Sequence, residues 1–155
     1  MRFMMLVIPK DYAHAKPGAM PDAKVVEAMS KYNDALMKAG VLLSLNGLHP
    51  LSTGARVSFA GGKPSVTDGP FVETKEVIGG YWMINVSSRE AAIAWAKQAP
   101  MPDGEIIEIR QIQEFEDFTP EVQKATGDKT SVYAEMQKSN QPCDDLRAGI
   151  PVHLG

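Results

Sequence analysis

A chain of 155 residues carrying 19 acidic and 16 basic side chains, for a formal charge of -3, fits one domain with an ordinary core. The near balance of charge, with no basic run, argues against nucleic acid as a partner, and no apolar stretch approaches the ~20 residues that cross a bilayer. The single cysteine, Cys143, excludes an internal disulfide, and the expected compartment is the cytoplasm.

Residues 2–8, RFMMLVI, are almost continuously apolar, which reads as a strand covered on both faces. Lys10 and Asp11 follow directly and no small-residue cleavage site is present, so this segment is read as a strand and not as a secretory leader. KDYAHAKPGAMPD is a loop by its proline, glycine and small residues. Asp22 then caps a helix with apolar positions Val25, Met29, Tyr32, Leu36 and Ala39, and Gly40 ends it. VLLSLNGL, residues 41–48, is a second strand. ARVSFAGGKPSVTDG holds a third strand, a Gly-Gly turn and a short return strand that leads to Asp68.

GGYWMINV, residues 79–86, is again a strand, rich in aromatic and β-branched residues. Ser87 and Glu90 have capping-box spacing and open a helix through Ala92, Trp95, Ala96 and Ala99, which Pro100 and Pro102 stop. The last strand is GEIIEIRQIQEF, residues 104–115. If Ile107 and Ile109 pack under the helices, period-two alternation puts Ile106, Glu108 and Arg110 on the opposite face. By the same rule Tyr81, Met83 and Asn85 oppose Trp82, Ile84 and Val86, and Arg56 and Ser58 oppose Val57 and Phe59.

This order predicts an α+β fold with both helices on one face of an antiparallel sheet. The other face mixes Met, Leu and Ile with Arg, Tyr, Asn and Glu, so it calls for a cover. The expected cover is a second copy of the chain, giving a homodimer whose facing sheets enclose a cavity with polar walls. Beyond Phe115 the apolar content thins. Residues 116–155 are expected to form a C-terminal extension, with one helix starting at Thr119 and Pro120 and another near residues 131–138, either wrapping the partner subunit or partly mobile.

From Thr67 to Glu76, TDGPFVETKE, and at the following GGYW, the sequence resembles the YCII-related family, specifically its DGPF branch. The Gly61-Gly62-Lys63 turn and Glu108-Ile109-Arg110 add to the match, which covers about residues 1–115. The resemblance implies a ferredoxin-like α+β fold that pairs into a dimeric α+β barrel. It also implies small-molecule chemistry from a His-Asp acid-base pair, with Asp68 as the acid, and a link to alternative sigma factors. The wider superfamily often carries its histidine around the first helix. Here DAKVVEAMSKYNDALMKAG contains none, which leaves His49 and, more weakly, His14 and His153 to fill the role.

The candidate acid-base residues are therefore Asp68 and His49. Asp-Gly is also ordinary turn chemistry, in which the carboxylate bonds an amide two residues on. Arg56 and Arg110 are candidate anchors for a small polar or anionic substrate, against the alternative of an ion-pair lattice with Glu108. Tyr81, Glu73 and Glu76 complete the candidate substrate-binding set, with Lys75 read as a solvated neighbour. No metal-ligand spacing, Walker loop, dinucleotide fingerprint or nucleophile elbow is present. The leading expectation is a cofactor-independent acid-base enzyme of isomerase, lyase or elimination type. The rival is a non-catalytic ligand-binding or regulatory module whose turn maintains the fold.

Overall fold

Alternating burial along two central strands fixes the architecture. The computed structural model describes residues 1–18, 20–71 and 76–125. Its elements are β1 (Arg2–Ile8), α1 (Ala23–Lys38), β2 (Leu42–Gly47), β3 (Ala55–Ala60), β4 (Lys63–Asp68), β5 (Gly80–Asn85), α2 (Arg89–Ala96), β6 (Ile106–Gln111) and α3 (Pro120–Ala125). The described residues divide after Ile112 into two units, the first of which carries both sheets.

The main sheet has the order β2-β5-β1-β6 and every pair is antiparallel. The chain passes from β1 to β2 through α1, stepping over the place later filled by β5, and from β5 to β6 through α2, stepping over β1. Two interleaved split βαβ units result, an α+β arrangement compatible with the ferredoxin-like fold. The register sets Met5 opposite both Trp82 and Ile109, and Phe3 opposite Ile84. These residues share one face, where Tyr32 and Leu36 of α1 and Ala92 of α2 close over them as the core. Ile107 and Ile109 pack against it. The intervening residues, among them Met4, Ile8, Tyr81 and Met83, form the second face and stay outside that core.

The helices are set by local chemistry. The Asp22 carboxylate accepts from the Lys24 amide at 2.8 Å, satisfying one orphan donor of α1. At the other end Gly40 takes φ 68°. Its N–H donates to Met37 O at 2.9 Å and the Val41 N–H to Leu36 O at 3.2 Å, a Schellman closure that a side chain at position 40 would strain. No described helix is long and apolar enough to cross a membrane.

Three sequence expectations are corrected. The β3–β4 hairpin forms its own two-stranded sheet instead of joining the main one, and all of its residues are exposed. Pro50 and the 3-10 turn at Leu51–Thr53 break the extended chain after β2 and send β3 away from the sheet. The cap of α2 is Ser88, whose hydroxyl accepts from the Ala91 amide at 3.1 Å, and not Ser87. Val86 is still buried and tied to Met1 O, so the chain needs Ser87 to turn before the helix can begin. Finally, β6 stops at Gln111. A short 3-10 turn, Phe115–Asp117, follows in the second unit, where the Glu114 amide donates to the Asp117 carboxylate at 2.8 Å. The helix expected near residues 131–138 lies outside the described residues.

Tyr32 joins α1 to α2. Its hydroxyl donates to the Trp95 carbonyl at 2.9 Å and its ring meets Trp82 edge-on, with centroids 5.5 Å apart. Burial pushes its pKa up to about 12. The folded state thus holds the phenol proton more tightly than the unfolded chain. The associated stability is complete below pH ~10 and is lost as pH rises toward ~12, by at most about 2–3 kcal/mol. Urea unfolding at successive pH values is expected to show this loss in the wild type and not in Tyr32→Phe. An equal alkaline loss in the variant would remove Tyr32 as its source.

Candidate functional site

The loops that carry the sequence candidates meet at one end of the main sheet. Leu48, just past β2, donates its N–H to Gly79 O at 2.8 Å, and its carbonyl accepts the Tyr12 hydroxyl at 2.6 Å. Pro50 is buried. His49 is therefore held on both sides through its neighbours while it remains exposed. Asp68 ends β4 opposite Ala55 and is also exposed.

The turn after Asp68 is not held by its carboxylate. The amide two residues on would belong to Pro70, which has no N–H, and the Gly69-Pro70 bond is cis. Instead the Gly69 N–H donates to Gly54 O at 2.8 Å. The backbone approaches so closely that a Cβ on Gly69 would overlap the Leu51 carbonyl, which is why glycine stands here. Gly69→Ala is expected to cost about 1–3 kcal/mol through this overlap, measured as a lower urea midpoint. An unchanged midpoint would show that the two segments do not pack as described.

This contact brings the Asp68 turn against the 3-10 turn that follows His49. Among the described residues no hydrogen bond or ion pair joins Asp68 to His49. Ser52, in the same 3-10 turn, has a buried hydroxyl with no described hydrogen-bond partner.

The other candidates occupy separate places. Arg110 and Glu108 pair at 3.8 Å on the second sheet face, where both are exposed. Tyr81 starts that face on β5, its hydroxyl accepts from the Asn46 amide at 2.8 Å, and both residues also border the cavity described next. Arg56 sits on the hairpin with its guanidinium 4.0 Å from the centre of the Phe71 ring. Glu76 is exposed, as is His14. Glu73, Lys75, Cys143 and His153 lie outside the described residues.

A cavity of about 470 Å³ adjoins this end of the sheet, between the first half of α1 and the β2–β5 edge. Val25, Val26, Met29, Ser30 and Asn33 line it from α1, and Leu45, Gly47, Gly80 and Trp82 from the sheet, with Val7 beneath. Gly47 faces Gly80 across β2 and β5, leaving the helix face of that edge without side chains at that register, with Val7 of β1 beside it. An added Cβ on Gly47 meets nothing within 4 Å. The Trp82 indole N–H donates to Asn33 Oδ1 at 2.8 Å and fixes both groups in the wall.

The sequence reading did not find this cavity. Its residues look like helix-face and strand-core positions, and only the glycines in NGL and GGYW, which fall opposite one another, signal an unfilled register.

A model of the YCII-related domain matches residues 1–116. An uncharacterised protein of Rhizobium meliloti (strain 1021) is 32% identical over 76 residues, 49% of this chain and 61% of that protein. The chain thus spans about three fifths of that relative's length. With three quarters of its length matched by the family model, the chain belongs to the YCII-related family.

Proposed function

We propose that this YCII-related protein, by resemblance of the DGPF branch, binds a small molecule in the cavity under α1. In this reading Asp68 and His49, neither of which lines the cavity, perform proton transfer on that molecule from the cavity's edge, without a cofactor. The observation that carries the reading is the cavity, whose volume falls in the range of small-molecule sites. Gly47, in its wall, stands two residues before His49, a span of at most ~7.6 Å between Cα atoms. The Gly69 N–H bond to Gly54 O joins the Asp68 turn to the segment that follows His49. Isomerisation, elimination or lyase chemistry needs only such groups.

The proposal includes a homodimer, a dimeric α+β barrel built across the second sheet faces. Met4, Ile8 and Met83, half-buried, give that face an apolar strip, and the hairpin exposes Val57, Phe59 and Val66 on one side. Such surface is ordinary at an interface and unusual on a lone sheet. A monomer in sedimentation at micromolar concentration would contradict the pairing. Arg110 and Glu108 would then lie inside the dimer.

The chemistry is tested by incubating the protein with a mixed small-molecule library and following it by NMR, which detects isomerisation without a change in mass. Asp68→Asn and His49→Gln are each expected to slow a detected turnover by about 10²-fold or more while leaving binding in place. Turnover unchanged in both variants would refute the mechanism. A second reading, a ligand-binding or regulatory module attached to a partner such as a sigma factor, is favoured by the lack of a bond between Asp68 and His49. It predicts binding with no turnover in any variant.

A further inference from the structure

We infer that the cavity under α1 selects an uncharged, largely apolar molecule that carries a carbonyl or similar acceptor oxygen, held by the side-chain amide of Asn33. This rests on the cavity being the ligand site, as proposed above, and adds the chemistry of what enters it.

The first observation is electrostatic. None of the described residues lining the cavity is an Asp, Glu, Lys, Arg or His. The walls are Val7, Val25, Met29, Leu45 and the Trp82 ring, with backbone at the glycines. An ionised ligand entering this space would lose part of its hydration and meet no countercharge, which is unfavourable. The arginines that suit an anion are on the second sheet face and on the hairpin, apart from the cavity.

The second observation is the state of the polar groups that do line it. The indole N–H of Trp82 is a donor only, so the group facing it in Asn33 must be the carbonyl oxygen. The side-chain N–H2 of Asn33 is thereby fixed as the remaining function, and it has no hydrogen-bond acceptor among the described residues. Asn46 already donates to the Tyr81 hydroxyl. The lining thus offers a placed neutral donor from Asn33, with the Ser30 hydroxyl one turn earlier on α1, to an acceptor on a ligand. The volume is several times the roughly 150 Å³ that admits benzene, so a bicyclic ligand fits.

The test uses methyl 2-naphthoate and 2-naphthoate, which share a skeleton and differ in charge, titrated by calorimetry into the wild type, Gly47→Val and Asn33→Asp. Gly47→Val narrows the cavity without meeting a neighbour at its Cβ, and Asn33→Asp keeps an acceptor for Trp82 while removing the donor. The expected result is that the ester binds the wild type at least tenfold more tightly than the carboxylate. Its affinity should fall at least tenfold in each variant, with both variants folded by circular dichroism. If the carboxylate binds as well as the ester and both are lost in Gly47→Val, the cavity is the site and the inferred ligand chemistry is wrong. If ester binding is unchanged in Gly47→Val, or neither compound binds, the cavity reading itself fails, and the inference with it.

Discussion

Trp82→Ala is expected to lower the unfolding free energy by about 3–5 kcal/mol, the range for removing a large aromatic side chain from a core. Trp82 is 4% exposed and sits at the centre of the fold, on β5 opposite Met5 of β1 and Leu45 of β2. Its removal leaves three deficits. The space it vacates merges with the existing cavity, so the surrounding side chains have little chance to collapse into it. Its edge-on contact with Tyr32 is lost, worth about 0.5–1.5 kcal/mol beyond burial. Asn33 Oδ1 also loses the donor that fixes it. A two-state domain holds roughly 5–15 kcal/mol in all, so the variant is expected to be partly unfolded at 37 °C. A urea midpoint lowered at constant slope checks this, and a loss below about 1 kcal/mol would contradict the place given to Trp82.

Leu36→Ala is expected to cost about 2–5 kcal/mol for a related reason. Of the α1 side chains only Tyr32 and Leu36 are fully enclosed, and Leu36 is 0% exposed. The first half of the helix lies over the cavity and gains little from the sheet, so the helix is anchored by its second half. Loosening that anchor should also release the cavity wall. Hydrogen exchange is expected to speed up along the whole of α1 and not only beside residue 36. Faster exchange limited to the final turn would show that the first half is held independently.

The sheet was legible in the sequence because alternation decides it. That Glu108 and Arg110 oppose Ile107 and Ile109, and Tyr81 opposes Trp82, follows from a side-chain period of two, while which face turns toward the helices is set by the more apolar set. The α1 ends were legible too, since Asp22 and Gly40 act through their own backbone neighbours. The fate of the hairpin was not. Its alternating pattern is that of any half-buried strand, and only the break at Pro50 and the 3-10 turn decides that it leaves the main sheet.

The candidate site was legible in part. Asp68 drew attention through its motif, and the structure brings its turn against the segment after His49 by way of Gly69, whose need to be glycine lies in the Leu51 carbonyl almost twenty residues away in sequence. The cavity was hidden for a different reason. It opens where Gly47 carries no side chain and Gly80 lets β5 approach the β2 backbone closely, and this becomes visible only when the register between β2 and β5 is known. The acceptor-seeking amide of Asn33 is likewise defined by the Trp82 indole, a contact 49 residues apart.

The central claim is that small molecules bind under α1. It is tested most directly by a thermal-shift screen of one mixed library against the wild type and Gly47→Val in parallel. Compounds that raise the melting temperature of the wild type are expected to lose much of that effect in the narrowed variant, whose own melting temperature stays equal or higher. Hits that stabilise both proteins equally would place the ligand elsewhere and contradict the account.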